Sequence, residues 1–154
     1  MQLIKMKVTN KREKANYKVL EVSADITLYK FAEIIVKRFG FYFDHSFGFY
    51  DNLEDHFKSK EIYELFTDLD DVEHTPGAKG VRKYYFVSDL FKNRKKMLFL
   101  FDYGDTWEFI LEVLDDSQRV QDVPKNYYKL YESHGEDPEQ YPDIEDEVEE
   151  KFIN

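Results

Sequence analysis

Apolar and polar positions alternate over residues 3–8 and again over 17–22, and the stretch between them, 9–16, is polar. Period-two alternation interrupted by a polar connection predicts two strands joined as a hairpin. The period then changes. Leu28, Phe31, Ala32, Ile35 and Phe39 recur at helical spacing and form one apolar stripe, with Thr27 suited to the N-cap and Gly40 to the residue just past the C-terminus. A helix over 27–39 follows. Phe47 and Phe49 alternate again and predict a strand. Residues 52–83 are polar and irregular. Ile62, Leu65 and Phe66 mark one short ordered turn there, and Thr75-Pro76-Gly77-Ala78-Lys79-Gly80 marks a loop. Ser88-Asp89-Leu90-Phe91 reads as a brief capped helical turn.

A second hairpin occupies the centre of the chain, with strands over 96–102 and 106–114. Met97, Phe99 and Phe101 share one face of the first strand, and Leu98 and Leu100 share the other. A strand apolar on both faces belongs inside a sheet covered on both sides. In the second strand Trp107, Phe109, Leu111 and Val113 alternate with Glu108, Ile110 and Glu112, so one face meets water. After Pro124, the cluster Tyr127, Tyr128, Leu130 and Tyr131 predicts a short helix or a surface-packing segment. Ile144, Val148 and Phe152 predict a terminal helix. The sum is an α+β fold: a mixed or mainly antiparallel sheet with one main helix packed on a face. Its strand, strand, helix, strand opening gives a β-grasp-like N-terminal half. Residues 1–154 read as one domain, with 136–154 an acidic C-terminal segment packed on the body as a helix.

Composition narrows the class. Of the 154 residues, 42% are hydrophobic and 18% aromatic, a balance that disordered chains do not show. There is no cysteine, which excludes disulfides and thiol chemistry. No apolar run reaches the ~18 residues of a membrane span, and the N-terminus lacks the apolar core of a signal peptide. The expectation is a cytoplasmic protein without a membrane partner. The net charge of -10 is unevenly placed: residues 1–114 carry 18 basic and 19 acidic side chains (-1), and residues 115–154 carry 4 and 13 (-9). An acidic chain is repelled by nucleic-acid phosphates unless it carries a local basic patch.

The chemistry that could be placed on this frame is sparse. Phe101-Asp102-Tyr103-Gly104-Asp105-Thr106-Trp107-Glu108-Phe109 holds the only tryptophan and three acidic residues around one turn. Asp102, Asp105 and Glu108 could bind a cation or exchange protons, with His45 as a partner across the sheet. Turn chemistry alone also selects aspartate and glycine there. Trp107 could stack on a ligand, or serve as the first core residue of its face. Lys79, Arg82, Lys83, Lys92, Arg94, Lys95 and Lys96 form the one basic run, with Arg82, Lys83, Arg94 and Lys95 as candidate phosphate contacts. No phosphate loop, nucleophile signature or cofactor motif is present, and the sequence names no cofactor.

Several motifs occur in an order that resembles a known family. They are Asp25-Ile26-Thr27-Leu28 at the helix start, His45-Ser46-Phe47-Gly48-Phe49, the Asp102–Trp107 hairpin, Val123-Pro124, Gly135-Glu136-Asp137-Pro138 and Glu145-Asp146. Over roughly residues 3–146 the chain resembles the plasmid pRiA-type open-reading-frame-three family, also described as transposon passenger proteins. Many members carry a Gly-Gly pair after the Glu-Asp, where this chain has Glu147-Val148. The resemblance implies a strand pair, a helix and a central hairpin, and a family of unknown biochemical function. A recombinase is not indicated: the five arginines (12, 38, 82, 94 and 119) are scattered, and none accompanies a nucleophilic serine or tyrosine. The leading expectation is a non-enzymatic binding or adaptor protein with a protein partner. The alternatives are a metal-dependent enzyme built on His45, Asp102, Asp105 and Glu108, and a nucleic-acid accessory protein using residues 79–96.

Overall fold

A computed structural model describes residues 1–141 of the chain. The terminal helix expected near 144–152 lies outside the described residues. Among the described residues seven strands form one sheet: β1 (Leu3–Asn10), β2 (Tyr17–Ser23), β3 (Phe47–Tyr50), β4 (Ile62–Glu64), β5 (Lys96–Phe101), β6 (Trp107–Asp115) and β7 (Tyr128–His134). Their order is β4-β3-β5-β6-β1-β2-β7, and every strand pairing is antiparallel. Helix α1 (Leu28–Arg38) is the one long helix among the described residues, and α2 (Val87–Leu90) is a single turn. The fold is therefore α+β. The hairpin–helix–strand opening is present as the sequence predicts, and β1 meets β6 antiparallel.

The ends of α1 are chemically determined. Thr27 Oγ1 accepts from the Lys30 amide at 3.3 Å, satisfying a donor that has no partner within the helix. At the other end Gly40 takes φ +83°. Its amide bonds to Lys37 O at 3.0 Å, and the Phe41 amide reaches back to Val36 O at 3.0 Å. This pair of bonds is a Schellman closure, which needs the left-handed conformation glycine adopts without strain.

The apolar stripe of α1 faces the aromatic side of the sheet. Phe31 stacks near Phe49 at 5.8 Å between ring centroids, and Phe39 meets Phe109 at 4.7 Å. Phe47, Phe99, Phe101, Trp107 and Leu111 complete a layer that includes Ile4, Met6, Val8, Leu20 and Val22 from the first hairpin. On the opposite side of the sheet a smaller cluster gathers Tyr50, Leu98 and Leu100, with Leu53, Ile62, Tyr103 and Ile110 around it. The double-sided apolar pattern of β5 is thus accounted for by two apolar layers of unequal size.

One expectation is corrected. The tyrosine-rich segment after Pro124 is not a short helix; Tyr128–His134 is the edge strand β7, lying at the surface. The outer edge of β2 carries a row of amides and carbonyls that need partners, and pairing with β7 supplies them. Side chains fasten the strand: Tyr17 and His134 stack at 4.4 Å, and the Tyr127 and Tyr131 hydroxyls reach Glu21 at 3.5 and 3.4 Å. The one short turn expected at Ile62, Leu65 and Phe66 is β4 followed by a 3-10 turn at Leu65–Asp68.

Lys18 explains how the chain is fixed beyond β7. Its side chain is 2% exposed, and its ammonium bonds Asp137 at 2.9 Å and Ser133 at 2.7 Å. Gly135, at φ +78°, passes so close to the Ala15 carbonyl that a Cβ would sit 2.6 Å from it, which lets Asp137 descend onto Lys18. Asp137→Asn leaves an almost fully buried ammonium without its counter-charge. It is expected to lower stability by about 1–3 kcal/mol in urea unfolding, and an unchanged midpoint would refute the anchoring role.

Candidate functional site

The sequence-predicted residues divide between two faces of the sheet. His45 and Asp102 do meet: His45 Nε2 lies 3.4 Å from an Asp102 carboxylate oxygen and 3.8 Å from Asp44. Asp102 is buried and sits at φ +64°, where its Oδ1 accepts from the amides of Gly104 (3.1 Å) and Asp105 (3.2 Å). The carboxylate thereby organises the hairpin turn. Asp105 is exposed at the turn itself. Glu108 points to the other face of β6 and pairs with Lys11 at 3.7 Å, away from His45. Trp107 is buried against Phe41 at 4.8 Å, and the Arg12 guanidinium covers its ring at 3.5 Å. Among the described residues no three His, Asp or Glu side chains are grouped as a metal would require.

The His45 end of the sheet is strapped by the last described residues. The Gln140 side-chain amide accepts from the Tyr42 N–H through Oε1 (2.7 Å) and donates through Nε2 to Tyr42 O (3.1 Å) and to Asp44 (3.0 Å). Tyr141 then contacts His45 and donates to Asp44 at 3.0 Å. Loss of solvent, then the bond to Asp44 and the charges of Asp44, Asp102 and Asp105, push the Tyr141 phenol up to about 12.

The basic run is largely paired. Arg94 bonds Glu61 and lies 4.0 Å from Asp51; Lys95 bonds Asp116 at 2.7 Å, Lys96 pairs with Glu112 and Lys92 with Asp89. Arg82 lies over the Tyr29 ring at 5.4 Å, Lys79 lies near the Tyr63 and Tyr85 rings, and Lys83 is exposed.

A cleft that the sequence reading did not find lies on the smaller apolar face. It encloses about 380 Å³ and is lined by Tyr50, His56, Phe57, Ile62, Glu64, Phe66, Glu73, His74, Thr75, Pro76 and Tyr103. Its base is a chain of hydroxyls on a carboxylate. Tyr50, 1% exposed, donates to Glu64 Oε2, and the Tyr103 hydroxyl lies 2.6 Å from that of Tyr50. Glu64 is 4% exposed, and its other oxygen, Oε1, has no partner among the described residues. A buried polar atom left without a hydrogen bond is unusual in a folded protein and marks a place to look for function.

Local sequence explains this geometry. Gly48 faces Glu64 across the β3–β4 pairing, and a Cβ there would lie 2.7 Å from both tyrosine hydroxyls. The missing side chain is the space in which they converge. Tyr103 is carried by the β5–β6 turn that Asp102 organises, and it packs on Phe66 at 4.9 Å. The loop wall is fixed by Lys79, whose amide and carbonyl pair with the β4 backbone at Ile62 and Glu64, and by Asp68, which accepts from the Val81 amide at 2.8 Å. Sequence reading missed the cleft because Tyr50, Glu64 and Tyr103 lie on three separate segments. The available signal was Gly48 in an otherwise aromatic strand.

The fold and cleft define an α+β domain with an antiparallel sheet, one helix-covered face and a concavity on the other. A family model described as plasmid pRiA4b ORF-3-like protein matches residues 2–146, and the chain belongs to that family. The crystal structure of a protein of unknown function from Methanosarcina mazei Go1 superposes with a TM-score of 0.64 at 14% identity. The match covers 84% of this chain and 69% of that one. At that identity the likeness shows a shared fold. No curated protein matches the chain. Among the described residues no helix is long and apolar enough to cross a membrane.

Two outcomes follow from the cleft base. Gly48→Ala forces the two phenols apart and is expected to cost about 1–3 kcal/mol in chemical unfolding; a wild-type midpoint would contradict the packing described. Burial, first, and the neighbouring hydroxyl and carboxylate raise the Tyr50 phenol far above its usual 10, and burial also raises Tyr103. A pKa raised in the folded state means a contribution that is complete below the unfolded value, about pH 10, and lost as pH climbs above it. Stability is therefore expected to fall above about pH 10, with a shallower fall in Tyr50→Phe; parallel alkaline limbs for the two proteins would refute this.

Proposed function

We propose that this protein is a non-enzymatic binding domain, an adaptor that receives a protein partner at the cleft over Tyr50, Glu64 and Tyr103. The observation that carries the reading is the Glu64 carboxylate at the cleft, buried and, among the described residues, bonded on one oxygen only, beside an aromatic wall. Concave, mostly apolar sites with a few placed polar groups are the usual form of a binding pocket. The hydroxyls there bond to one another and to Glu64, an arrangement that orients a contact rather than activating a nucleophile. Phe57, 85% exposed at the mouth, extends the apolar surface outward to where a partner would sit.

The other readings have weaker support. Glu108 stands apart from His45 and Asp102, so the hairpin carboxylates do not converge on one point. Most cations of the basic run already face carboxylates or aromatic rings, which lowers the charge available to phosphates.

The test is site-specific photo-crosslinking in cells. A photoreactive phenylalanine at position 57 is expected to give one defined protein adduct, and the same group at Tyr84, also exposed but outside the cleft, is expected to give none. Equal labelling from both positions, or none from position 57, would sink the proposal.

A further inference from the structure

The chemistry of the cleft goes further than its role as a binding surface, and the step rests on that reading. Among the described residues no lysine or arginine lines the cleft, whereas Glu64 and Glu73 do. The walls are aromatic on several sides: His56 stands 4.9 Å from the Tyr50 ring and 4.0 Å from Phe57, and Phe66 stands 4.9 Å from Tyr103. Negative charge at the end of an aromatic-walled recess suits an organic cation, through the ring faces and the carboxylate together.

The hydrogen-bond arrangement selects among cations. Glu64 Oε2 is already taken by the Tyr50 hydroxyl; Oε1 has no partner among the described residues but is fully buried, so a donor entering the cleft reaches it only as the side chains covering it give way. A guanidinium gains its advantage by forking onto both oxygens of a carboxylate, and that geometry is blocked. A quaternary ammonium has no N–H to offer the orphaned acceptor. A primary ammonium donates one N–H to one oxygen and keeps its remaining charge against the ring faces. A four-carbon stem behind it would lie along the apolar wall formed by Ile62, Phe66 and Phe57, as lysine stems do on apolar surfaces.

We infer that the cleft recognises a primary alkylammonium group, presented by the partner as a lysine side chain, with Glu64 Oε1 as its acceptor. Its attraction would be helped by the net charge of -10 of the chain.

The experiment titrates the intact protein with small probes and follows the aromatic ring signals of Tyr50 and Tyr103 by NMR. The probes are n-butylammonium, the neutral n-butanol and N-butylguanidinium. Butylammonium is expected to bind at least about tenfold more tightly than n-butanol and more tightly than the guanidinium. Glu64→Gln is expected to remove that preference, with a thermal melt confirming that the variant is folded. Tyr50→Phe frees Oε2 and is expected to restore binding of the guanidinium fork. Nα-acetyl-lysine methylamide is expected to bind at least as well as butane-1,4-diamine; a clear preference for the free diamine overturns the lysine assignment. Equal binding of butanol and butylammonium, an unchanged ammonium affinity in Glu64→Gln, or no shift at Tyr50 and Tyr103 with any probe overturns the inference. Crosslinking at position 57 would still report separately on the cleft as a protein-binding surface.

Discussion

The structure depends on the packing of one helical stripe against one aromatic sheet face. Phe31, Ile35 and Phe39 on α1 meet Phe49, Phe99 and Phe109, all fully buried. Each large apolar side chain so buried contributes about 1.5–3 kcal/mol relative to exposure. That layer aligns strands from both hairpins under one helix. It also commits the aromatic face of β3 and β5 to the core, and so determines which residues of the same strands are presented on the other side. Tyr50, Leu98 and Leu100 are there because Phe49, Phe99 and Phe101 are not.

The two faces then solve different problems. The helix face is closed mainly by apolar contact, with the Trp107 indole N–H buried there without a partner among the described residues. The opposite face is closed only over a few residues, and its polar atoms are buried as a connected chain, Tyr103 to Tyr50 to Glu64. Such a chain is stable when every member is satisfied, and costly when one is not. Here the member without a partner among the described residues is a single oxygen, Glu64 Oε1, at a cost of about 1–3 kcal/mol by the usual measure of an unpaired buried acceptor. A core retained only for stability would place an apolar residue there. The locally unfavourable choice is of the kind that functional sites carry and the surrounding packing offsets.

Much of the frame was legible in the chain, for reasons particular residues make plain. Helix α1 was readable end to end because its stripe, its Thr27 cap and its Gly40 closure all state the same boundary. The β5–β6 hairpin was readable because Asp102 and Gly104 mark the turn and the flanking strands alternate. Strand β7 was not, since Tyr128, Leu130 and Tyr131 show no clean period and their state is set by the open edge of β2, a partner more than a hundred residues away. The meeting of His45 with Asp102 was anticipated; the separation of Glu108 follows from strand alternation, which puts it on the face opposite Trp107.

The cleft was illegible for a related reason. Its three polar residues stand at positions 50, 64 and 103, and nothing local ties a tyrosine at the end of one strand to a glutamate at the end of another. What joins them is the register of β3 between β4 and β5, which sets Gly48 opposite both Glu64 and Leu100. Gly48 has no side chain to pack, and a glycine inside a strand weakens it unless something else occupies the space. Here the occupants are two phenol hydroxyls. The hairpin turn that first drew notice for its acidic residues therefore acts one step removed: Asp102 shapes the turn, the turn carries Tyr103, and Tyr103 completes the chain of hydroxyls that leads to the carboxylate.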